Sequence, residues 1–148
     1  MKLFYKGKDG GQYSTVWGYW LVEIKGLFSI VLLRFEDGSR EAFHEHAFNC
    51  FSWLLKGKLQ EEFKPDVYEP NLPLTQAVSV PHIQIVFKRP NKYYYPSWIP
   101  FITRRTDFHK VTSIGRTWVL SFRGPWKDTW REYVPGKGIV TLTHGRQP

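Results

Sequence analysis

The chain has a single cysteine, Cys50. One thiol excludes an internal disulfide and suits a reducing compartment, so a cytoplasmic location is expected. Long apolar runs are missing too: "LFSIVLL" is cut short by Arg34 and Glu36, well below the length that spans a bilayer. The opening stretch "MKLFYKGKDGG" has neither an apolar h-region nor a small-residue cleavage site, so no secretory signal is expected. No segment keeps a helical period, and no basic run forms. The net charge of +8 is spread over scattered positions such as Lys56, Lys88, Arg104 and Arg131. That charge would help binding to an anion, nucleic acid included, but reads equally as a solvated basic surface.

What the sequence does have is aromatic residues, 18% of 148 positions, enough for a real core in one domain spanning residues 1–148. Short strand-like runs dominate: "WGYWLVEI", "LFSIVLLRFE", "HIQIVFK", "TWVLSFRG" and "GIVTLTH". Asp37-Gly38 marks a turn, and "FSWLLKGKLQEEF" reads as two short strands around Lys56-Gly57-Lys58. The best helix candidate is "PWKDTWREY". This pattern predicts an all-β sandwich or barrel. Residues 64–100 hold seven of the ten prolines and the run Tyr93, Tyr94, Tyr95. Proline is excluded from central strands, so an elaborated insert is expected there, with one strand inside it.

His44 and His46 stand one residue apart, in "AFHEHAFNCF". On a strand they would face the same way while Glu45 faces the other. Two neutral imidazoles on one face suit a divalent transition metal, but a third ligand must come from elsewhere. His82, His109 and His144 are the candidates, against the alternative of two ordinary strand histidines. Cys50 could be a soft fourth ligand, a residue lining the site, or plain core. Arg123, near the end of "TWVLSFRG", would clamp an anionic group if it points inward and is a surface charge if it points outward. Glu41, Glu61 and Arg123 are candidates to orient the imidazoles. Trp53, Trp98, Trp118, Trp126 and Trp130 fill the core or line a ligand pocket. Tyr93 to Tyr95 beside Lys92 read as a stacking platform for single-stranded nucleic acid or as a structural loop.

The spacing around the histidine pair resembles the first motif of the cupin superfamily. Gly38 is followed by "SREAF", His44-Glu45-His46, "AFN", Cys50, "FSWLLK" and Gly57. Cys50 stands where that motif has a glutamate. The second motif survives only as His109 in "RRTDFHKV". Within the superfamily, "NCFSWLLKGKLQEEF" is similar to the thiol dioxygenases, although Ser121 and Arg123 occupy the strand where those enzymes carry a histidine and a tyrosine. The run from "HEHAFNCFSWLLKG" to "RGPWKDTW" is also similar to small cupins of bacteria and their phages. The resemblance covers about residues 27–135. It implies a jelly-roll barrel. It implies one metal held by His44, His46 and His109, with iron(II) first and zinc, nickel or manganese as alternatives. It implies a small-molecule ligand, anionic if Arg123 serves as the clamp, and Cys50 and Arg123 near the chemistry. Two functions follow: a metal-dependent dioxygenase, or a non-catalytic cupin used for binding or assembly, pairing as a homodimer through edge strands.

Overall fold

A computed structural model of the protein describes residues 1–10, 14–39, 42–64, 66–68, 85–87, 89–134 and 136–144. Its strands in chain order are β1 (Lys2–Lys8), β2 (Val16–Ile24), β3 (Phe28–Phe35), β4 (Gly38–Ser39), β5 (Cys50–Phe63) and β6 (Asp66–Tyr68). They continue as β7 (Ile85–Phe87), β8 (Lys92–Tyr94), β9 (Phe101–Thr103), β10 (His109–Arg123), β11 (Thr129–Val134) and β12 (Gly138–Thr143). The all-β class expected from the strand pattern is found, and every pairing is antiparallel. The main sheet runs β1-β2-β3-β10-β5-β8, with β4 on β10 and β9 on β5. β11-β12 and β6-β7 are separate two-stranded units. Much of the expected insert, His82 included, lies outside the described residues, as does Glu41.

The long ribbon β5-β10 organises everything else. His109 pairs with Phe63 at one end, and Arg123 pairs with Cys50 at the other. Drawn straight, it would be about 45 Å long. Yet its ends are joined by one short segment. His44 exchanges both backbone hydrogen bonds with His109, at 2.8 and 3.0 Å, while the Gly124 amide donates to the Asn49 carbonyl at 2.9 Å. Six residues reach at most about 20 Å. The ribbon must therefore bend back on itself and enclose a space.

The bend sits where the pairing register shifts, between Ile114 and Trp118. Gly57 and Gly115 both have positive φ, 94° and 71°. On β5 the inward residues are Cys50, Ser52 and Leu54 before the bend, and Leu59, Glu61 and Phe63 after it. Leu54 and Leu59 are an odd number of residues apart, so one extra residue has been inserted, as in a β-bulge. This corrects the sequence expectation of two strands around a turn at Lys56-Gly57-Lys58. The glycine bends one continuous strand because a side chain there would collide with Thr117 across the ribbon.

"PWKDTWREY" forms no helix; its second half is β11, paired residue by residue with β12. Trp130 is buried there while Thr129 and Arg131 are exposed, a period of two that one tryptophan spacing disguised. β1 was not anticipated. It is an edge strand rich in lysine, and its one large inward residue, Tyr5, stacks on Trp20 with ring centroids 4.7 Å apart.

Two apolar clusters result. Val16, Trp20, Val31, Leu33, Leu54, Leu59 and Val119 fill the space under the main sheet. Ala47, Phe48, Cys50, Trp130 and Leu142 join the connecting segment to the β11-β12 hairpin. A cavity of about 120 Å³ lies between them, lined by members of both.

Candidate metal centre

His44 and His46 are not on a regular strand, contrary to expectation. His44 makes isolated bridges to His109 and to Glu132, and His46 follows in irregular chain. The segment is nonetheless held on both sides. Besides the bonds to His109, the Glu45 amide donates to the Arg131 carbonyl at 2.8 Å, and the Tyr133 amide donates to the Phe43 carbonyl at 2.8 Å. Backbone bonding to β10 and β11 thus supplies the rigidity that a strand ladder would have given.

His109 arrives as the first residue of β10, 2% exposed. The three rings form a nearly equilateral triangle, with centroid separations of 4.9 Å for His44–His46, 5.2 Å for His44–His109 and 5.0 Å for His46–His109. One ligand nitrogen from each ring lies within 4.8 Å of the others. His144 is not in this group. It stacks on Trp126 and lies 3.7 Å from the Asp128 carboxylate.

The hydrogen bonds assign the ring nitrogens. His109 Nδ1–H donates to Glu61 Oε1, so its Nε2 carries a lone pair facing the other imidazoles. His44 Nδ1 lies 3.2 Å from the Ala42 carbonyl, which only a donor can approach, so its Nε2 likewise carries a lone pair. With His109 Nε2 as the acceptor, His46 Nε2–H donates to it at 2.8 Å, a hydrogen bond that a metal ion held by both nitrogens would replace. Nitrogens about 3 Å apart match neighbouring ligands of one ion at metal–nitrogen distances near 2.1 Å. The donor set therefore fits a transition-metal ion: three imidazole nitrogens, with outer nitrogens occupied by a carboxylate and a carbonyl.

Glu61 is the deeper support. It is 4% exposed, and its second oxygen accepts a 2.5 Å hydrogen bond from Tyr94. Burial, and then that bond to Glu61, push the Tyr94 phenol well above its usual range, so it remains a donor. Tyr94 also packs on Phe101 at 4.3 Å. Glu61 was among the orienting residues expected from strand position. Tyr94 was missed, since the Tyr93 to Tyr95 run reads as a surface platform. The period of two was the available signal: Tyr93 and Tyr95 are exposed, with the Lys58 ammonium 5.1 Å from each ring, while Tyr94 turns inward.

Cys50 is buried and lines the cavity, with the Ser52 hydroxyl 3.7 Å from its sulfur. It is not part of the imidazole group. Arg123 points inward and is 3% exposed, which removes the surface reading. Its guanidinium is engaged by Asp9 at 3.2 and 2.7 Å and lies over the Phe48 ring at 4.7 Å. Burial acts to lower the Arg123 pKa, but the charge and hydrogen bonds of Asp9, with smaller contributions from Cys50 and Tyr5, hold the group above its usual value. Asp9 is a cavity residue that sequence reasoning missed. Of the tryptophans, Trp126 and Trp130 line the cavity. Trp98 is 97% exposed, and Trp53 donates to its carbonyl at 3.2 Å.

No protein-family model matches the chain, and no curated protein matches it in sequence. Among solved structures it is similar to a cupin superfamily protein from Desulfitobacterium hafniense DCB-2, with 15% identity, TM-score 0.44, and coverage of 79% of this chain and 84% of that one. It is also similar to a sugar phosphate isomerase from a cupin superfamily, from Silicibacter pomeroyi DSS-3, with 12% identity, TM-score 0.47, and coverage of 100% and 96%.

Proposed function

We propose that this chain is a metal-binding cupin in which His44, His46 and His109 hold one divalent transition metal. The convergence of one nitrogen from each ring within 4.8 Å carries the reading. Iron(II) is the first choice, with zinc, nickel or manganese as alternatives, since all accept imidazole. Bound there, the ion would supply open coordination positions for a small bidentate ligand, and iron(II) would add oxygen chemistry. The finer reading is a mononuclear dioxygenase acting on a small molecule.

The protein's own residues would do the rest. Glu61 holds His109 in one tautomer, and Tyr94 fixes Glu61. The walls include the apolar side chains of Val16, Leu33, Phe101 and Val119. Cys50 serves as a lining residue. Protein purified without added metal should contain about one transition metal per chain. Well-folded protein with almost none would contradict the reading. Glu61→Gln keeps an acceptor for His109 but removes its charge, and should weaken metal affinity by about tenfold in a competition titration with a chelator. Unchanged affinity would mean that the Glu61 charge does not support the ligand.

A specific observation favours a second role beside the first. The outer face of the main sheet is apolar: Phe51, Leu55, Ile102 and Phe122 are each more than 40% exposed and lie on adjacent paired strands. Such a face suits association, as in the binding or assembly reading. Light scattering should then report a homodimer or larger species, and a monomer at high concentration would remove this role.

A further inference from the structure

The cavity contains more charge than its volume suggests. Glu61, Glu45, Asp9 and Arg123 each have a counter-charge or hydrogen-bond partner, although the Arg123 Nε–H is buried with no hydrogen-bond acceptor among the described residues. Glu61 accepts from His109 and Tyr94. Glu45 forms an ion pair with Arg131. Asp9 takes both terminal nitrogens of Arg123, the group that would otherwise receive an anion. Near Arg123 the remaining polar lining is uncharged: Cys50, Ser52, Thr103 and Ser121, with the Ser52 hydroxyl donating to Ser121 at 3.1 Å. At about 120 Å³ the space takes only a small ligand.

An anionic group reaching this end would find no unpaired cation. It would have to displace Asp9 or remain a buried, uncompensated charge, which is strongly unfavourable. A hydroxyl or amide would meet the hydroxyls, and its oxygen could accept from the unpartnered Arg123 Nε–H, without burying a net charge. We propose that the cavity selects small ligands whose end away from the histidines is uncharged, and that Asp9 sets this preference by neutralising Arg123. The inference rests on the metal reading above, which provides the anchor for the ligand's other end. It reverses the anionic preference that an inward-pointing arginine suggests from sequence alone.

The test uses two chelators that differ only in the far group: the monohydroxamate of succinic acid, and the same molecule with its carboxylate replaced by a primary amide. Acetohydroxamate, which has no far group, reports anchoring alone. Each is titrated calorimetrically into zinc-loaded wild-type protein. The amide should bind at least about tenfold more tightly than the acid, the smallest ratio expected from a buried unpaired charge. Asp9→Asn leaves the Arg123 charge without its counter-charge and should move the preference toward the acid by a similar factor. Since that variant also strains folding, Asp9→Asn with Arg123→Gln serves beside it and should keep the amide preference. Wild-type protein that binds the acid as well as the amide overturns the inference, as does zinc-loaded protein that takes acetohydroxamate but neither longer probe, or none of the three. Protein that binds no zinc overturns the metal reading, and this inference with it.

Discussion

Replacing His109 by alanine is expected to empty the proposed metal centre, lowering affinity by more than the roughly hundredfold typical of losing an outer-shell partner. Metal analysis of the purified variant reads this directly. The fold should persist, because the bonds that tie His109 to His44 are backbone bonds and survive the substitution. Glu61 would lose one partner but keep Tyr94, at a stability cost of about 1–3 kcal/mol. His46→Ala separates the two effects. It leaves the Glu61–His109 contact in place and should lose metal with little loss of stability. His144→Ala should retain the metal, since that ring pairs with Asp128 and stacks on Trp126 instead. Metal retained by both His46→Ala and His109→Ala would contradict the assignment.

Gly57→Ala should produce the largest loss of stability. A Cβ there would lie 2.3 Å from Thr117 Oγ1, 2.8 Å from Thr117 Cα and 2.9 Å from the Arg116 carbonyl. Two of those atoms are backbone and cannot step aside. The residue also holds φ at 94°, which an L side chain adopts only under strain. Together these predict a cost of about 3 kcal/mol or more. For a chain of this size that lowers the melting temperature by roughly 10 °C. Gly26→Ala is the matched control: nothing lies within 4 Å of its added Cβ. Equal melting temperatures for the two variants would show that the bend does not depend on Gly57.

These two positions also mark what the sequence could and could not reveal. The histidine pair was legible as ligand candidates because the cupin-like spacing from Gly38 to Gly57 placed it, whereas His109 was legible only from its place just before the strand "TWVLSFRG". The same spacing named Gly57 but not its role. A glycine between lysines has the chemistry of a turn, and only the inward residues on both sides, Leu54 and Leu59, identify a bulge in a continuous strand. Strand periodicity gave β2, β3 and the later half of β10, where alternation is clean. It failed for β1, whose apolar residues Leu3, Phe4 and Tyr5 are consecutive rather than alternating, and for β11, where Trp126 and Trp130 imitate a helical spacing. Glu61 could be nominated from its strand position. For Tyr94 a period of two could have shown the inward turn but not its partner Glu61, and Asp9 meets Arg123 across a sequence separation that no local pattern encodes. Asp9 changes the chemistry most, converting an apparent anion clamp into a neutral ion pair.

The most direct test is an anomalous-difference map from crystals of protein purified without added metal, recorded on both sides of the iron and zinc edges. The account predicts one strong peak per chain, about 2.1 Å from a nitrogen of each of His44, His46 and His109. A clean map with no peak there, while the three rings still face one another, would contradict it.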